Sequence, residues 1–492
     1  SRFLVLIVCF FVVVVCIVGR LVFLMVAKHD YFLNRSQKQI QKLIKIDTSR
    51  GQILDRNLHP LAMSRPVQSV YASPRNIANK RRFSDQVAPH LNMTSDEVFQ
   101  KINNDRTFVW LKRKLDDIDI APLDAWLPQQ LNVLQEERRV YPNNALLSDV
   151  LGFVGTDAGL GGLEYEFDEF LTGEHGYYII NGDPRGVRMI SSNKQLIGRA
   201  KGFSQSEKGI EASSMKGGHV VLTIDYRVQF LVEQLLTQAI DRVEASSGQV
   251  IVMDVKNGDI LAMANYPYFN PNQFQKEPHE VLKNSCIVDV FEPGSIFKIV
   301  TYAAALEEKM VTPGTILEVP ETIVIARRRI KEAKKRKPDA PTHYTANDIL
   351  VKSMNVGTTL LAQKMGADAF LSYIQAFGFG QKSRIHLPGE TKGLLRSIDQ
   401  VTPIDSAVMS FGQGIGVTSL QMIRAVSAIG NGGRLIEPRV VKHLTDHNHL
   451  TIYKPSKYRE QRIVSSKTAK YVRDAMEDVV DNGSGRYAAV SG

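Results

Sequence analysis

The sequence predicts an α+β fold: one membrane-spanning helix, a mixed middle segment, and a larger unit of helices around an antiparallel sheet. Three observations carry this. Residues 3 to 27 are apolar apart from one arginine. Residues 29 to about 215 mix short strands, a helix and many Gly, Asp and Asn turns. From Gly217 the pattern changes to strand, amphipathic helix and hairpin, followed by long apolar helices. A chain of 492 residues exceeds one ordinary core, so segments of 1–28, 29–215 and 216–492 are expected.

The first element is "FLVLIVCFFVVVVCIVGRLVFLMVA", charged only at Arg20. At ~1.5 Å per residue it exceeds the ~30 Å hydrocarbon core of a bilayer and spans it with some tilt. It is longer than the apolar region of a signal peptide and no small-residue cleavage site follows, so it reads as a retained anchor. Arg20 either snorkels to the nearer interface or faces a partner helix. Next, "RSQKQIQKLIKIDTSRGQILDRNLHPLAMS" reads as a polar helix that becomes extended with turns. A helix is expected near 94–103, an amphipathic helix in "GLGGLEYEFDEFLTG", and a turn cluster at "NGDPRG". The middle segment offers no metal-ligand spacing, phosphate loop or paired His and Asp, and reads as non-catalytic.

In the last segment, "GGHVVLTIDYRVQFLVEQLLTQAIDRV" is a strand followed by a helix capped by Asp225. Two β-rich runs joined through Asn257-Gly258 form a hairpin. Thr345 with Asp348 caps a helix that breaks around Ser353-Met354-Asn355, and a second helix runs to Gly366. Thr418 and Gln421 form another capping box.

The formal charge of +10 is local. Residues 327 to 337, "RRRIKEAKKRK", hold eight basic side chains and one acid, a net of +7, so the remainder carries +3. A solvated surface loop is the favoured reading over a polyanion-binding patch, and no nucleic-acid partner is expected. Cys9 and Cys16 lie in the anchor. Cys286, alone outside it, reads as a small core residue rather than a nucleophile.

Ser-x-x-Lys occurs at Ser191–Lys194, Ser213–Lys216 and Ser295–Lys298, and only the third opens a long apolar helix. Three positions are close to one helical turn, so Ser295 and Lys298 share a face within hydrogen-bond reach. A serine hydroxyl needs a base, and a desolvated lysine can be one. The alternative is a capping serine with a solvated lysine, and spacing alone leaves both open.

"EPGSIFK" opening a helix, followed 58 residues later by "SMN" between two helices, resembles the first two active-site motifs of the penicillin-binding proteins. That superfamily of serine acyltransferases is marked by Ser-x-x-Lys, Ser-x-Asn and Lys-Thr-Gly. "SRGQILDRN", "RRVYP" and "GLEYEFDEFLTG" resemble pedestal motifs of the class B members, and "LTIDYRVQ" and "SFGQGIGVTSLQMIRA" resemble stretches of their transpeptidase domain. "DVFEPGS", "RRVYP" and the arginine-interrupted anchor resemble the cell-division (septal) enzyme more than its elongation counterpart.

The resemblance implies a peptidoglycan D,D-transpeptidase that cross-links stem peptides at the division septum and is a target of β-lactams. It implies an anchor over 1–28, an elongated, non-catalytic, dimerisation-like pedestal over 29–215 and a transpeptidase domain over 216–492. The anchor would be single-pass in the bacterial inner membrane, with the bulk of the chain outside the cytoplasm. Ser295 would be the nucleophile and Lys298 the base. Ser353 would pass a proton to the leaving amine, and Asn355 would hold Lys298 and a substrate carbonyl. The implied partners are peptidoglycan stem peptides, β-lactams, a polytopic division glycosyltransferase and other divisome membrane proteins, with no cofactor and no metal.

One departure stands out: no Lys-Thr-Gly occurs in the 492 residues. "KTA" at 467–469 lies where Val472, Met476 and Val479 have helical spacing, whereas the motif belongs on a strand. The strand is expected beyond Gly492, approached by "GRYAAVSG", leaving the domain incomplete and its activity impaired. Competing readings are an elongation-type transpeptidase, a β-lactamase or β-lactam sensor sharing the same four residues, and a non-catalytic divisome scaffold.

Overall fold

The computed structural model describes residues 2–32, 41–46, 49–115, 123, 130–173, 176–181, 196–198, 216–333, 335–337, 340–454 and 459–490. The N-terminal helix Arg2–Val22 continues as a π-helical stretch, Phe23–Ala27. Within it Ile7–Val26 is the one helical span among the described residues that is long and apolar enough to cross a membrane. The Arg20 guanidinium lies 5.5 Å from the centre of the Phe23 ring.

The polar helix expected after the anchor is extended where it is described. Gln41–Ile46 is a strand antiparallel to Gly176–Asn181, which also pairs with Leu196–Gly198. Ile44 and Ile46, stiff at χ1, favour a strand over the helix that the polar composition suggested. Most of "NGDPRG", and Ser191, Lys194 and Ser213, lie outside the described residues.

The chain forms two compact units, neither contiguous in sequence. The first comprises Ser1–Arg50, Ser64–Arg139 and Thr172–Gly217. Here the helices Lys80–Val87 and Ser95–Ile102, the second opened by a Thr94–Glu97 capping box, share a core with Val70, Leu111 and Leu131. Phe83, Val87, Val98 and Ile102 are their contributions to it.

The second unit comprises Gly51–Met63, Val140–Leu171 and Gly218–Gly492. Residues 51–63 and 140–171, which the sequence groups with the middle segment, are therefore packed with the C-terminal part. Ile53–Leu54 runs parallel to His219–Leu222, which is antiparallel to Val441–Thr445. Asp55, fully buried, accepts the backbone N–H groups of Asn57 (2.7 Å), His59 (2.8 Å) and Tyr226 (3.2 Å). Burial pushes its carboxyl up, but these bonds and the His59 side chain together hold it below its ordinary pKa.

Asp225 caps Tyr226–Val243 as expected, accepting from the N–H groups of Arg227 and Val228. Gly248–Met253 and Ile260–Tyr266 pair as the expected hairpin. Gly258 takes φ +79°, and a Cβ there would stand 2.5 Å from Glu437 O. The "GLEYEFDEFLTG" helix is two short ones, Gly162–Glu166 and Asp168–Thr172, broken at Phe167. The larger core is built by the helices Lys298–Glu307, Ala346–Val351, Asn355–Met365, Ala367–Ala376, Ser419–Gly430 and Ser466–Asp481. Lys298–Glu307 is apolar almost all round, and all of Val300 to Leu306 is buried.

Candidate active site

Ser295 lies in a single 3₁₀ turn, Gly294–Phe297, that leads directly into the helix Lys298–Glu307. In 3₁₀ geometry side chains at i and i+3 eclipse, which sets Ser295 and Lys298 on one edge. The turn is stapled to the "SFGQGIG" stretch. Phe291 and Val417 exchange both backbone hydrogen bonds (3.0 and 2.9 Å), and Gly294 N–H donates to Gly412 O (2.9 Å). Glu292 Oε1 accepts Gly414 N–H at 2.8 Å. Gly412 has φ +81°, and a Cβ on it would stand 2.1 Å from Gly294 O. Two glycine turns thus meet backbone to backbone, leaving Ser295 exposed above them.

Lys298 is 1% exposed. Its ammonium donates to Ser353 O (2.6 Å), Ser353 Oγ (3.1 Å) and Asn355 Oδ1 (2.8 Å), which uses all three of its donors. Burial pulls its pKa down to about 8, against an opposing pull from the Glu332 carboxylate. Among the described residues the side-chain hydrogen bonds of Lys298 go to Ser353 and Asn355, while its backbone N–H donates to Ser295 O. The expected bond to the Ser295 hydroxyl is not one of them. The structure therefore brings Lys298, Ser353 and Asn355 together and leaves Ser295 one 3₁₀ turn away with its hydroxyl open to solvent.

Ser353 is held by a helix ending. Ala346–Val351 stops at Lys352, and Ser353 takes φ +56°. Ser353 N–H donates to Leu350 O (3.0 Å) and Met354 N–H to Ile349 O (2.9 Å). This is the bond pair of a Schellman ending, with serine where glycine is usual. A non-glycine residue there costs ~1 kcal/mol or more. The chain bears that cost to point both the Ser353 carbonyl and its hydroxyl at Lys298.

Asn355 starts the next helix, Asn355–Met365, and its amide orientation is fixed on both sides. Oδ1 faces the ammonium, while Nδ2 donates to Lys331 O at 3.3 Å. Sequence reasoning missed Glu332, which accepts the N–H groups of Asn355 (2.6 Å) and Val356 (3.2 Å). The only signal for it was that it is the one acid in the basic run. The start of that run is the second strand of an antiparallel hairpin, Thr322–Ile325 with Arg328–Lys331, turned at Ala326 and Arg327, both at positive φ, and Glu332 follows it directly. Arg327, Arg328, Arg329, Lys331, Lys335 and Lys337 are exposed, as a solvated face requires, whereas the side chains of Glu332 and Arg336 are 7% and 13% exposed.

Lys467 of "KTA" is exposed on the first turn of Ser466–Asp481, so that triplet is helical as expected. Glu307 anchors this turn, accepting Ser465 N–H (3.0 Å), Ser465 Oγ–H (2.9 Å) and Thr468 Oγ1–H (2.5 Å). Cys286 is fully buried, which pushes its thiol up and makes it a poor nucleophile.

Residues 248–492 match the family described as penicillin binding protein transpeptidase domain, and residues 45–200 match the penicillin-binding protein dimerisation domain. Stage V sporulation protein D of Bacillus subtilis is 33% identical over 457 residues, covering 91% of this chain and 68% of that protein. Peptidoglycan D,D-transpeptidase FtsI of Escherichia coli is 31% identical over 443 residues, covering 88% and 71%. The crystal structure of penicillin binding protein 3 of Mycobacterium tuberculosis, complexed with aztreonam, superposes with a TM-score of 0.67 at 26% identity. It covers 91% of this chain and 80% of that one. With both domains present in this order, and relatives this similar over most of both lengths, the chain belongs to the class B penicillin-binding proteins.

Proposed function

We propose that the protein is a peptidoglycan D,D-transpeptidase of the division septum, anchored once in the cytoplasmic membrane by its N-terminal helix with the rest of the chain on the outer side. The observation that carries the reading is the buried Lys298, ringed by Ser353 and Asn355 one turn from an exposed serine. In its neutral form Lys298 takes the Ser295 proton as Oγ attacks the carbonyl of the penultimate D-Ala. The peptide C–N bond then breaks, and the terminal D-Ala leaves as an amine, its proton delivered through Ser353. An amine of a neighbouring stem peptide attacks the ester, forms the cross-link and returns the proton to Ser295. The Asn355 amide holds Lys298 and a substrate carbonyl, and the Ser295 N–H is half of an oxyanion hole worth ~3 kcal/mol per donor. A β-lactam, which is an acyl donor of the same shape, would be trapped as the Ser295 ester.

The septal assignment is supported by the similarity to FtsI. Division-type membrane partners, including a polytopic glycosyltransferase, and the 29–215 pedestal and 216–492 transpeptidase segments belong to the same proposal. Residues 1–492 carry two of the three motifs, and comparing them with a chain that includes a Lys-Thr-Gly strand measures what the third adds. The test is acylation by a fluorescent penicillin, with Ser295→Ala as control. Labelling lost in Ser295→Ala supports the mechanism. Undiminished labelling of Ser295→Ala, or none in the chain with all three motifs, overturns it.

A further inference from the structure

The helix Asn355–Met365 opens on Met354, which has no side chain able to cap it, and the cap comes from elsewhere. Glu332, delivered by the basic hairpin, places one carboxylate oxygen on each of the first two N–H groups, Asn355 at 2.6 Å and Val356 at 3.2 Å. The residue before it contributes too: Lys331 O accepts Asn355 Nδ2–H at 3.3 Å. Asn355 is therefore held at three points by 331–332 and Lys298. Glu332 is itself held by Arg336 Nη2 at 3.3 Å. Arg336 in turn donates from Nη1 to Val319 O (2.5 Å) and lies 5.1 Å over the Tyr344 ring.

We propose that Glu332 is a positioning residue of the catalytic set: it seats the Ser353–Asn355 turn against Lys298, and Arg336 sets how much of its negative charge Lys298 feels. The proposal rests on the reading of Ser295 as nucleophile and Lys298 as base. The groups facing Lys298 are Ser353 and Asn355 from the turn and, as the charged group acting on it among the described residues, Glu332 from the hairpin. Arg336 faces Glu332 from the other side. Two changes then have opposite signs. Glu332→Gln removes the negative charge, so Lys298 loses its proton more easily. Arg336→Met leaves that charge unneutralised, so Lys298 holds its proton longer. A cap with only a structural role gives no such opposition, because both variants would merely loosen the turn.

The experiment uses the full chain with 13C-labelled lysine. The Lys298 resonance is identified by its loss in Lys298→Met and titrated in wild type, Glu332→Gln and Arg336→Met. The midpoint is expected to fall in Glu332→Gln and rise in Arg336→Met, each by about half a unit or more. Midpoints that stay put, or that move in the same direction, overturn the proposal and leave Glu332 a helix cap. If Glu332→Gln does not fold, Arg336→Met decides alone, since it keeps the Glu332 contacts to the helix. Fluorescent-penicillin acylation of wild type and Ser295→Ala runs alongside. Labelling with unresponsive midpoints sinks the role of Glu332 and keeps the enzyme. Opposed midpoints, with no labelling even of a chain that includes a Lys-Thr-Gly strand, keep the electrostatic coupling and sink the enzyme reading.

Discussion

In the proposed mechanism Lys298 is where residue chemistry decides rate. With a pKa of about 8, roughly one molecule in ten has the free amine at pH 7, against about one in three thousand at the ordinary 10.5. Acylation of Ser295 is therefore expected to rise about tenfold per pH unit up to about 8 and to level off above it, read as labelling rate against pH. A flat profile from pH 6 to 9 would rule Lys298 out as the base. The same shift has a stability consequence of definite sign. A lysine whose folded pKa is depressed binds fewer protons folded than unfolded between about 8 and 10.5. Its cost, roughly 3 kcal/mol, is fully present below pH 8 and relieved as pH rises toward 10.5. Lys298→Met should remove this slope from the unfolding profile. Ser353 gives the complementary case. Ser353→Gly relaxes a left-handed helix ending, so stability should hold or rise by up to about 1 kcal/mol while acylation falls about a hundredfold or more. A parallel loss of stability would mean that the hydroxyl supports the fold rather than the chemistry.

At the scale of elements, the site is two glycine turns and one helix break, and these differ in how far the sequence reveals them. Ser295, Lys298, Ser353 and Asn355 stand in short local strings, the caps at Thr345 and Thr418 follow from residues three apart, and Asp225 from its place just before a helix, so all of these were readable. Glu332 was not, because its partners Asn355 and Val356 lie 23 and 24 residues on, beyond the intervening helix Ala346–Val351, and it sits among eight basic residues that read as a solvated face. Nor was the seating of Gly294 on Gly412, since no periodicity links two turns so far apart. Likewise, Gln41–Ile46 read as a polar helix because composition hid a pairing with Gly176–Asn181 that only tertiary structure supplies. The Gly412 contact makes a sharp test. Gly412→Ala places a Cβ 2.1 Å from Gly294 O on a backbone at φ +81°, so the Ser295 turn must shift. Acylation is expected to drop at least about tenfold with only part of that loss recovered by cooling, whereas Gly314→Ala, with nothing within 4 Å of its Cβ, should be silent. Equal behaviour of the two variants would show that the backbone contact does not set the nucleophile.

At the scale of the whole molecule, the interleaving of the two units says what the C-terminal part needs to fold. Residues 216–492 by themselves would leave His219–Leu222 without its parallel partner Ile53–Leu54 and Tyr226 N–H without Asp55. Glu233 Oε1 would lose Leu147 N–H, and the Asn272 side chain would lose both backbone bonds to Tyr141. Ile53, Leu61, Tyr141, Leu146, Leu147, Val150, Leu151, Leu163 and Leu171 would also be missing from a shared buried cluster. At about 1.5–3 kcal/mol per buried large side chain, that deficit is comparable to or larger than the ~5–15 kcal/mol net stability of a typical domain. We therefore expect residues 216–492 to lack a cooperative thermal transition and to be cleaved rapidly by protease. A chain that also keeps 51–63 and 140–171 should melt sharply and resist cleavage. A sharp transition in 216–492 alone would mean that those segments only decorate an independent core. The expected outcome has a functional corollary: the stretches "SRGQILDRN" and "RRVYP" would then be needed for Ser295 to react at all, through the stability of the unit that holds it.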